Sequence, residues 1–179
     1  DLLWRDIPGE PSVEARPPVP NNIQKQRELA GGITTNPNAM GRIGLLYLRK
    51  GKWKDTQLIS ESSVELAMKP RPEIAGAKVA NESDFPSANL NYGLLWWTNA
   101  NKQIPEVPAD AFWAWGLADS LIVVIPSLDL VITRVDGSPD STTTPHWRSE
   151  TNGYPKWNGN YEILKPFLIP SVQSVTPTP

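Results

Sequence analysis

Residues 111–135 read AFWAWGLADSLIVVIPSLDLVITRV and contain three short runs rich in aromatic and β-branched residues. Turn-forming residues separate the runs, first at Asp119 and then at 126–129, where the sequence is PSLD. Runs of this composition favour β-strands, and connections this short join antiparallel neighbours. A similar run at 91–98 precedes them. The segment 91–135 therefore predicts an antiparallel meander, a sheet whose strands follow one another along the chain.

A helix is predicted before the sheet, at 37–50. Apolar residues in this segment recur three and four positions apart, and no proline follows Pro37 within it. Asn36 is a residue type that caps helix N-termini, and Pro37 fits the first helical turn. Gly51 stands where a left-handed residue ends many helices. The segment therefore predicts an amphipathic helix with defined ends.

Two further helices and an extended arm complete the prediction. Apolar spacing predicts a helix over 60–69, with Ser60 as its cap, and another over about 160–175. Residues 1–30 carry five prolines within the first twenty positions, which predicts an extended arm. The remainder, 31–179, then forms an antiparallel sheet with flanking helices, which is the α+β class.

Composition excludes several kinds of function. The 179 residues include 17 basic and 19 acidic side chains, and a net charge of −2 gives no cationic field for binding nucleic acid. The absence of cysteine excludes disulfides, thiol catalysis and thiolate metal sites. No apolar run approaches the ~20 residues of a membrane span. Because the chain opens on Asp1 rather than Met, we expect a processed or partial chain.

The common catalytic signatures of hydrolases and nucleotide-binding proteins do not occur. The sequence contains no Gly-x-Ser-x-Gly elbow and no glycine-rich phosphate loop. The single histidine, His146, cannot supply a closed zinc site, so no metal is expected. His146 would serve a catalytic triad only if the fold brought a serine and a carboxylate to it. Otherwise it is a residue of a polar loop.

Tryptophans are concentrated in the predicted strands. Because neighbours in a strand alternate faces, Trp96 and Trp97 should lie on opposite faces, one toward the core and the other outward. Trp113 and Trp115 should share a face. Two interpretations are open: the rings pack beneath helices, or an outward tryptophan lines a cleft and stacks on a substrate.

Several segments, in their order along the chain, resemble one known family. They are GGITTNPNAMGRIGLLYL at 31–48, GKW at 51–53, QLIS at 57–60, YGLLWW at 92–97 and AWG at 114–116. This order resembles the serine β-lactamase-related hydrolases, in the class C-like branch that includes penicillin-binding esterases and 6-aminohexanoate-oligomer hydrolases. The resemblance extends over residues 31–168 and implies part of a β-lactamase/transpeptidase-like fold.

The catalytic motifs of that family are missing from this sequence. Its members acylate the serine of a Ser-x-x-Lys motif, and the tyrosine of a Tyr-x-Asn motif helps to move the proton. Neither motif occurs here, and Ser87-Ala88-Asn89 falls too late in the order, so we interpret it as chance. The resemblance therefore implies the C-terminal half of such a hydrolase, inactive alone and completed by its N-terminal half or by a second chain. It implies no cofactor, and it favours a periplasmic or secreted location.

One active-site element of the family is expected on this half. Ala114-Trp115-Gly116 is similar to the family's Lys-Thr-Gly motif, and the loss of the lysine implies a small neutral ester or amide substrate. By this match the backbone N–H of Leu117 is the second oxyanion donor. Gly116 would allow the acyl group to approach. Trp115 and Ala114 would line the substrate side, and Asp119 would repel anionic substrates.

Alternatives to these assignments remain open. A shift of the motif by one residue makes the backbone N–H of Ala118 the oxyanion donor. Asp119 is equally consistent with a hairpin-turn residue. Two alternatives replace the enzyme portion. In the first, the chain is a non-catalytic binding domain with a Trp-lined groove. In the second, it is a module that binds carbohydrate through the Trp cluster.

Overall fold

The computed structural model describes residues 3–4, 33–80, 82, 85–116, 120–135 and 164–175. Two 3₁₀ turns, Pro72–Ile74 and Pro126–Leu128, accompany the helices and strands. In chain order these are β1 (Leu3–Trp4), β2 (Ile33–Thr34), α1 (Pro37–Leu48), β3 (Lys52–Trp53), β4 (Thr56–Gln57), α2 (Glu61–Ala67), α3 (Ala88–Asn91), β5 (Trp97–Thr98), β6 (Phe112–Trp115), β7 (Leu121–Ile125), β8 (Leu130–Arg134) and α4 (Lys165–Val175).

The main sheet has four antiparallel strands in the order β5-β6-β7-β8. Strand order therefore follows chain order, and the predicted meander and the α+β class are confirmed. Strand β7, with the sequence LIVVI, is buried along its whole length, because it pairs with β6 on one side and β8 on the other and is covered on both faces. β1 pairs with β2 and β3 pairs with β4 in two small separate sheets.

Each face of the main sheet contributes to its own hydrophobic core. On one face, the sheet packs against the loop before β6 and against helix α4. The buried residues of this first core are Ile104, Val107, Trp113, Leu121, Val123, Ile125, Leu164, Leu168 and Val172. On the other face, the sheet packs against α1 and α2. The buried residues of this second core are Met40, Ala67, Trp96, Phe112, Ile122 and Val124. Trp113 and Trp115 share a face, as predicted, and Trp96 and Trp97 lie on opposite faces. The prediction that one of that pair points outward is wrong, because both faces carry a core and Trp97 packs against the first of them.

Helix α1 begins and ends with the residues that the sequence indicated. The side chain of Asn36 accepts a hydrogen bond from the backbone N–H of Ala39 at 2.9 Å, and Pro37 is the first helical residue. Gly51 has a φ of 81°, the left-handed conformation expected after a helix. The regular helix ends at Leu48 rather than at position 50, because the chain already turns at Lys50, whose φ is 54°.

Gly44 sets the distance between α1 and the sheet. A Cβ at this position would lie 2.5 Å from Cγ1 of Val131 and 3.0 Å from Cγ2 of Ile122. The helix therefore crosses over β7 and β8 at a separation that a larger residue would not permit. This close approach fixes α1 above the β7–β8 pair.

The second and third predicted helices are present, and α2 is shorter than predicted. Ser60 caps α2, and its Oγ accepts a hydrogen bond from the backbone N–H of Ser63 at 3.1 Å. Helix α4 contains Pro170 in its interior, and the start that the sequence predicted for it, 160–163, lies outside the described residues. None of the helices in the described ranges is both long and apolar enough to cross a membrane.

The predicted strand at 91–98 is wrong for most of its length. Asn91 ends the short helix α3, and a tight turn follows, in which the backbone N–H of Gly93 donates to the carbonyl of Trp96 at 2.7 Å. Leu95 adopts a φ of 63°, which is unfavourable for a branched residue. Contacts with α2 hold this turn, since the N–H of Leu94 donates to the carbonyl of Ala67 at 3.1 Å. A regular strand is left only at Trp97–Thr98.

The extended arm predicted for 1–30 is described only at Leu3–Trp4, which pairs with Ile33–Thr34 in antiparallel register. The other residues of the arm lie outside the described part of the chain. The division of the sequence into an arm and a remainder at 31–179 stays a prediction.

Candidate functional site

The candidate site lies at the end of β6, where Ala114 and Trp115 are followed by Gly116. On one side these strand residues pair with β7, Ala114 with Ile122 and Trp115 with Leu121. On the other side β5 pairs only with Phe112 and Trp113. Because β5 is so short, the outer edge of β6 at Ala114–Gly116 extends beyond the strand that covers its first half.

Gly116 closes the turn between β6 and β7 without being required by it. Its backbone N–H donates to the carbonyl of Ser120 at 2.8 Å. A Cβ at this position would meet its nearest atoms, O and Cβ of Ser120, at 3.7 and 4.0 Å, which are ordinary contact distances. The described residues would therefore accept alanine at position 116, and the glycine itself adds no side-chain atoms to the edge of β6.

An aromatic cluster lies on the face of the sheet that carries Trp115. The ring of Phe85 stacks on Trp97 at 5.6 Å and meets Trp115 edge-on at 6.4 Å. Tyr92 meets the other strand residue, Trp97, edge-on at 4.8 Å. All four rings are half-buried. The cluster therefore gives the end of β6 an aromatic flank that is continuous with the first core.

The sequence indicated only part of this cluster. Trp97 and Trp115 were identified from their strand positions, whereas Phe85 was not identified, because it precedes a short helix and carries no motif. Tyr92 was identified only as part of the segment that resembles a known family. Burial raises the pKa of its phenol. Trp96 and Trp113 are buried core residues, so these two rings pack beneath helices or loops and do not line a cleft.

Comparison with known proteins identifies the fold. No protein-family model and no curated protein matches the chain. A crystal structure named "putative beta-lactamase", from Bacteroides dorei DSM 17855, matches it with a TM-score of 0.50 and 17% sequence identity. The match covers 88% of this chain and 45% of that one. The chain has a β-lactamase-like fold. It spans less than half the length of the Bacteroides structure.

Three residues that bear on the site of this β-lactamase-like fold lie outside the described residues: Leu117, Ala118 and Asp119. The oxyanion donor, the choice between the two registers and the role of Asp119 therefore stay predictions. His146 also lies outside the described part. The structure does bring Ala114, Trp115 and Gly116 together on one strand end, with Ala114 packed toward the second core and Trp115 toward the first.

The Ser87-Ala88-Asn89 segment has a structural role. Ser87 precedes α3 with a φ of 57°. The amide of Asn89 donates to the carbonyl of Ala75 at 2.7 Å and to that of Ala77 at 3.0 Å. Asn89 thereby ties α3 to the loop that follows α2, and this use of its amide supports the interpretation of the motif as chance.

The ion pair with the clearest electrostatic effect lies at the other end of β7, away from Gly116. Both terminal nitrogens of Arg49 donate to the carboxylate of Asp129, and this hydrogen bonding lowers the pKa of the Asp129 carboxyl. Both side chains are exposed. The pair connects the end of α1 to the β7–β8 turn. Within the described ranges, no group of three or more His, Asp or Glu side chains is placed to hold a metal ion.

Proposed function

We propose that this chain is the C-terminal portion of a β-lactamase-like serine hydrolase that cleaves small neutral esters or amides through an acyl-enzyme. The nucleophile would come from an N-terminal portion, in the same polypeptide or in a second one, and the chain alone would be inactive. The observation that carries the proposal is the position of Ala114–Gly116 at the end of β6, beyond the residues that pair with β5, in a β-lactamase-like fold.

The end of a strand suits the chemistry of acyl transfer. Its backbone N–H and C=O groups can align an extended substrate by adding it to the sheet. A fixed N–H group at the end of the strand can then stabilise the oxyanion, and loss of one such donor costs about 3–4 kcal/mol of transition-state stabilisation. In this proposal Leu117 supplies that N–H from the strand end. The second N–H would belong to the nucleophilic serine of the N-terminal portion.

The surroundings of the edge favour a neutral substrate. Ala114 stands where the family's motif has lysine, so the strand itself supplies no cation to a substrate carboxylate. The aromatic flank formed by Phe85, Tyr92, Trp97 and Trp115 would instead accept an apolar group next to the scissile bond.

The first test is whether the chain alone can form an acyl-enzyme. Incubated with p-nitrophenyl acetate, the pure protein should release nitrophenol no faster than a buffer control, and intact-mass analysis should find no acyl adduct. Purification from the native source, followed by labelling with a fluorophosphonate, should identify a Ser-x-x-Lys segment that accompanies the chain. An acylated residue within these 179 residues, together with turnover, would contradict the proposal.

The second test places a methyl group at the end of β6. In the active protein obtained from the native source, Gly116→Ala should lower kcat/KM by about 100-fold, because a small displacement of the reacting groups costs about that much. The melting temperature should not change, since the new Cβ would have only ordinary contacts.

Gly76→Ala is the matched control, because a Cβ at Gly76 meets nothing within 4 Å. This variant should keep both its melting temperature and its activity. If Gly116→Ala retained full activity with an unchanged melting temperature, the edge of β6 would not be the substrate-binding edge.

A further inference from the structure

The segment RKGKWK at 49–54 concentrates positive charge in a chain whose net charge is −2. Arg49 and Lys50 pair with carboxylates of this chain. Lys52 and Lys54 are exposed, and among the described residues their ammonium groups form no ion pair. The unpaired positive charge of this segment therefore belongs to Lys52 and Lys54.

Both lysines belong to the hairpin of β3 and β4, whose base is closed by hydrogen bonds. The backbone N–H of Leu58 donates to the carbonyl of Gly51 at 2.9 Å. The side-chain amide of Gln57 donates to the carbonyl of Lys50 at 2.7 Å and to that of Ile59 at 2.5 Å. The backbone of the hairpin is therefore already ordered, and binding of a partner would not have to order it.

The turn of the hairpin contains a residue in an unfavourable conformation. Lys54 has a φ of 51°, in the left-handed region that glycine or asparagine adopts at lower cost. Strained residues of this kind cluster at functional sites. The turn therefore presents a cation at a position where the backbone conformation favours a different residue type.

An exposed apolar side chain lies next to these lysines. Leu58 directly follows β4 and is 60% exposed. Because Gln57 lies opposite Lys52, Leu58 is one position away from this lysine across the hairpin. Asp55, in the turn, offsets one of the two lysine charges. Lys52, Lys54 and Leu58, which we call the hairpin surface, thus combine unpaired cations with an apolar group.

We propose that the hairpin surface binds the anionic headgroups of a lipid bilayer. Two unpaired ammonium groups favour an anionic partner, and a lysine is attracted to an anionic membrane within about a Debye length. Leu58 favours a partner with an apolar region behind its charges, because a polyanion alone would leave this side chain in water. A bilayer offers both. The long lysine stems let the ammonium groups stay among the headgroups while Leu58 reaches the acyl boundary.

Sedimentation with lipid vesicles tests the proposal on the unaltered chain. The partition coefficient should be at least about five times higher for equimolar phosphatidylcholine and phosphatidylserine than for phosphatidylcholine alone. Lys52 and Lys54 contribute about a factor of five each, and Asp55 removes one such factor. The difference should disappear in about 1 M salt, where the Debye length is ~3 Å. Equal binding to both kinds of vesicle at low salt, or binding to neither, would overturn the proposal.

A double variant separates the hairpin from the overall charge of the chain. Lys52→Gln combined with Lys54→Gln should lower the partition coefficient on the phosphatidylserine vesicles about 25-fold. The matched control, Lys69→Gln combined with Lys78→Gln, removes the same charge from two exposed lysines outside the hairpin. It should bind within about twofold of the unaltered chain, because charges more than a Debye length from the membrane are screened. An equal loss in the two double variants would overturn the proposal.

A third variant distinguishes a bilayer from a soluble polyanion. Leu58→Asn should lower the partition coefficient on the same vesicles about fivefold, because it removes apolar surface that the bilayer would cover. Leu95→Asn is the control, since Leu95 is 72% exposed and lies outside the hairpin, and it should leave binding unchanged.

If Leu58→Asn bound the vesicles as tightly as the unaltered chain, the partner would be a polyanion such as an acidic protein segment, and the proposal would be wrong. None of these results depends on the hydrolase activity proposed above, because no measurement involves a substrate.

Discussion

Replacing Gly93 by alanine should destabilise the protein by about 3 kcal/mol or more, at the upper end of the range for overpacking. A Cβ at this position would lie 2.1 Å from the carbonyl oxygen of Ala67 and 2.8 Å from that of Lys69. Both atoms belong to the backbone at the end of α2, so no side-chain rotation relieves the clash. The turn would move away from α2 and lose the hydrogen bond from Leu94 to Ala67.

Chemical denaturation followed by tryptophan fluorescence measures this effect. The control is again Gly76→Ala, whose new Cβ has no neighbour within 4 Å and should change the free energy of unfolding by less than about 0.5 kcal/mol. If both variants unfolded at the same denaturant concentration, the packing of the turn on α2 would be looser than described. Because Trp96 and Trp97 follow the turn directly, Gly93→Ala should also change the emission of the native state.

The second large effect concerns Asn99, which is fully buried after β5. Its amide nitrogen donates to the carbonyls of Ile104 at 2.9 Å, Val107 at 2.9 Å and Pro108 at 3.1 Å. Its side-chain oxygen accepts from the backbone N–H of Ile104 at 2.9 Å. One side chain thus organises the loop that supplies Ile104 and Val107 to the first core. Asn99→Ala should cost about 3 kcal/mol, since it leaves buried backbone groups without partners.

Asn99→Asp keeps the shape of the side chain but removes its amide donor, so this variant measures what the donor contributes to stability. At neutral pH a carboxylate would face carbonyl oxygens in a buried site, so this variant should be less stable than Asn99→Ala. The site would raise the pKa of the new carboxyl above its unfolded value of about 3.9. The folded state would then hold a proton that the unfolded state releases, so stability should fall as the pH rises above about 4.

Denaturation curves at pH 4.5 and pH 7.5 test this dependence. Relative to Asn99→Ala, the aspartate variant should gain stability at the lower pH, where its carboxyl is protonated and can donate one hydrogen bond. Asn38→Asp is a suitable control, because Asn38 is exposed. An aspartate variant at position 99 with the same pH dependence as this control would contradict the buried environment of Asn99.

Local sequence was sufficient to predict the elements whose signals are local. Asn36, Pro37 and Gly51 define the ends of α1 through their own backbone and side-chain preferences, and Ser60 does the same for α2. The runs at 112–115, 121–125 and 130–134 form strands because their β-branched and aromatic residues suit a sheet. Because the turn between β7 and β8 is short, these two strands pair in antiparallel orientation.

The strand predicted at 91–98 shows where local reasoning fails. Its composition suits a strand, yet Asn91 belongs to α3 and Leu95 occupies a left-handed turn. Packing of Gly93 against the end of α2 decides this conformation, and α2 is distant in sequence. For the same reason Phe85 could not be identified as part of the aromatic cluster, because its partners Trp97 and Trp115 are brought to it by the fold.

The sequence by itself determined the α+β class, the order of the strands and the candidate strand end Ala114-Trp115-Gly116. Only the tertiary structure decided that both faces of the sheet are covered and that β5 stops short of this strand end. Periodicity and capping act between residues a few positions apart, and the sequence records them directly. Burial and strand length depend on contacts between distant segments such as α2 and the turn at Gly93, which exist only in the folded chain.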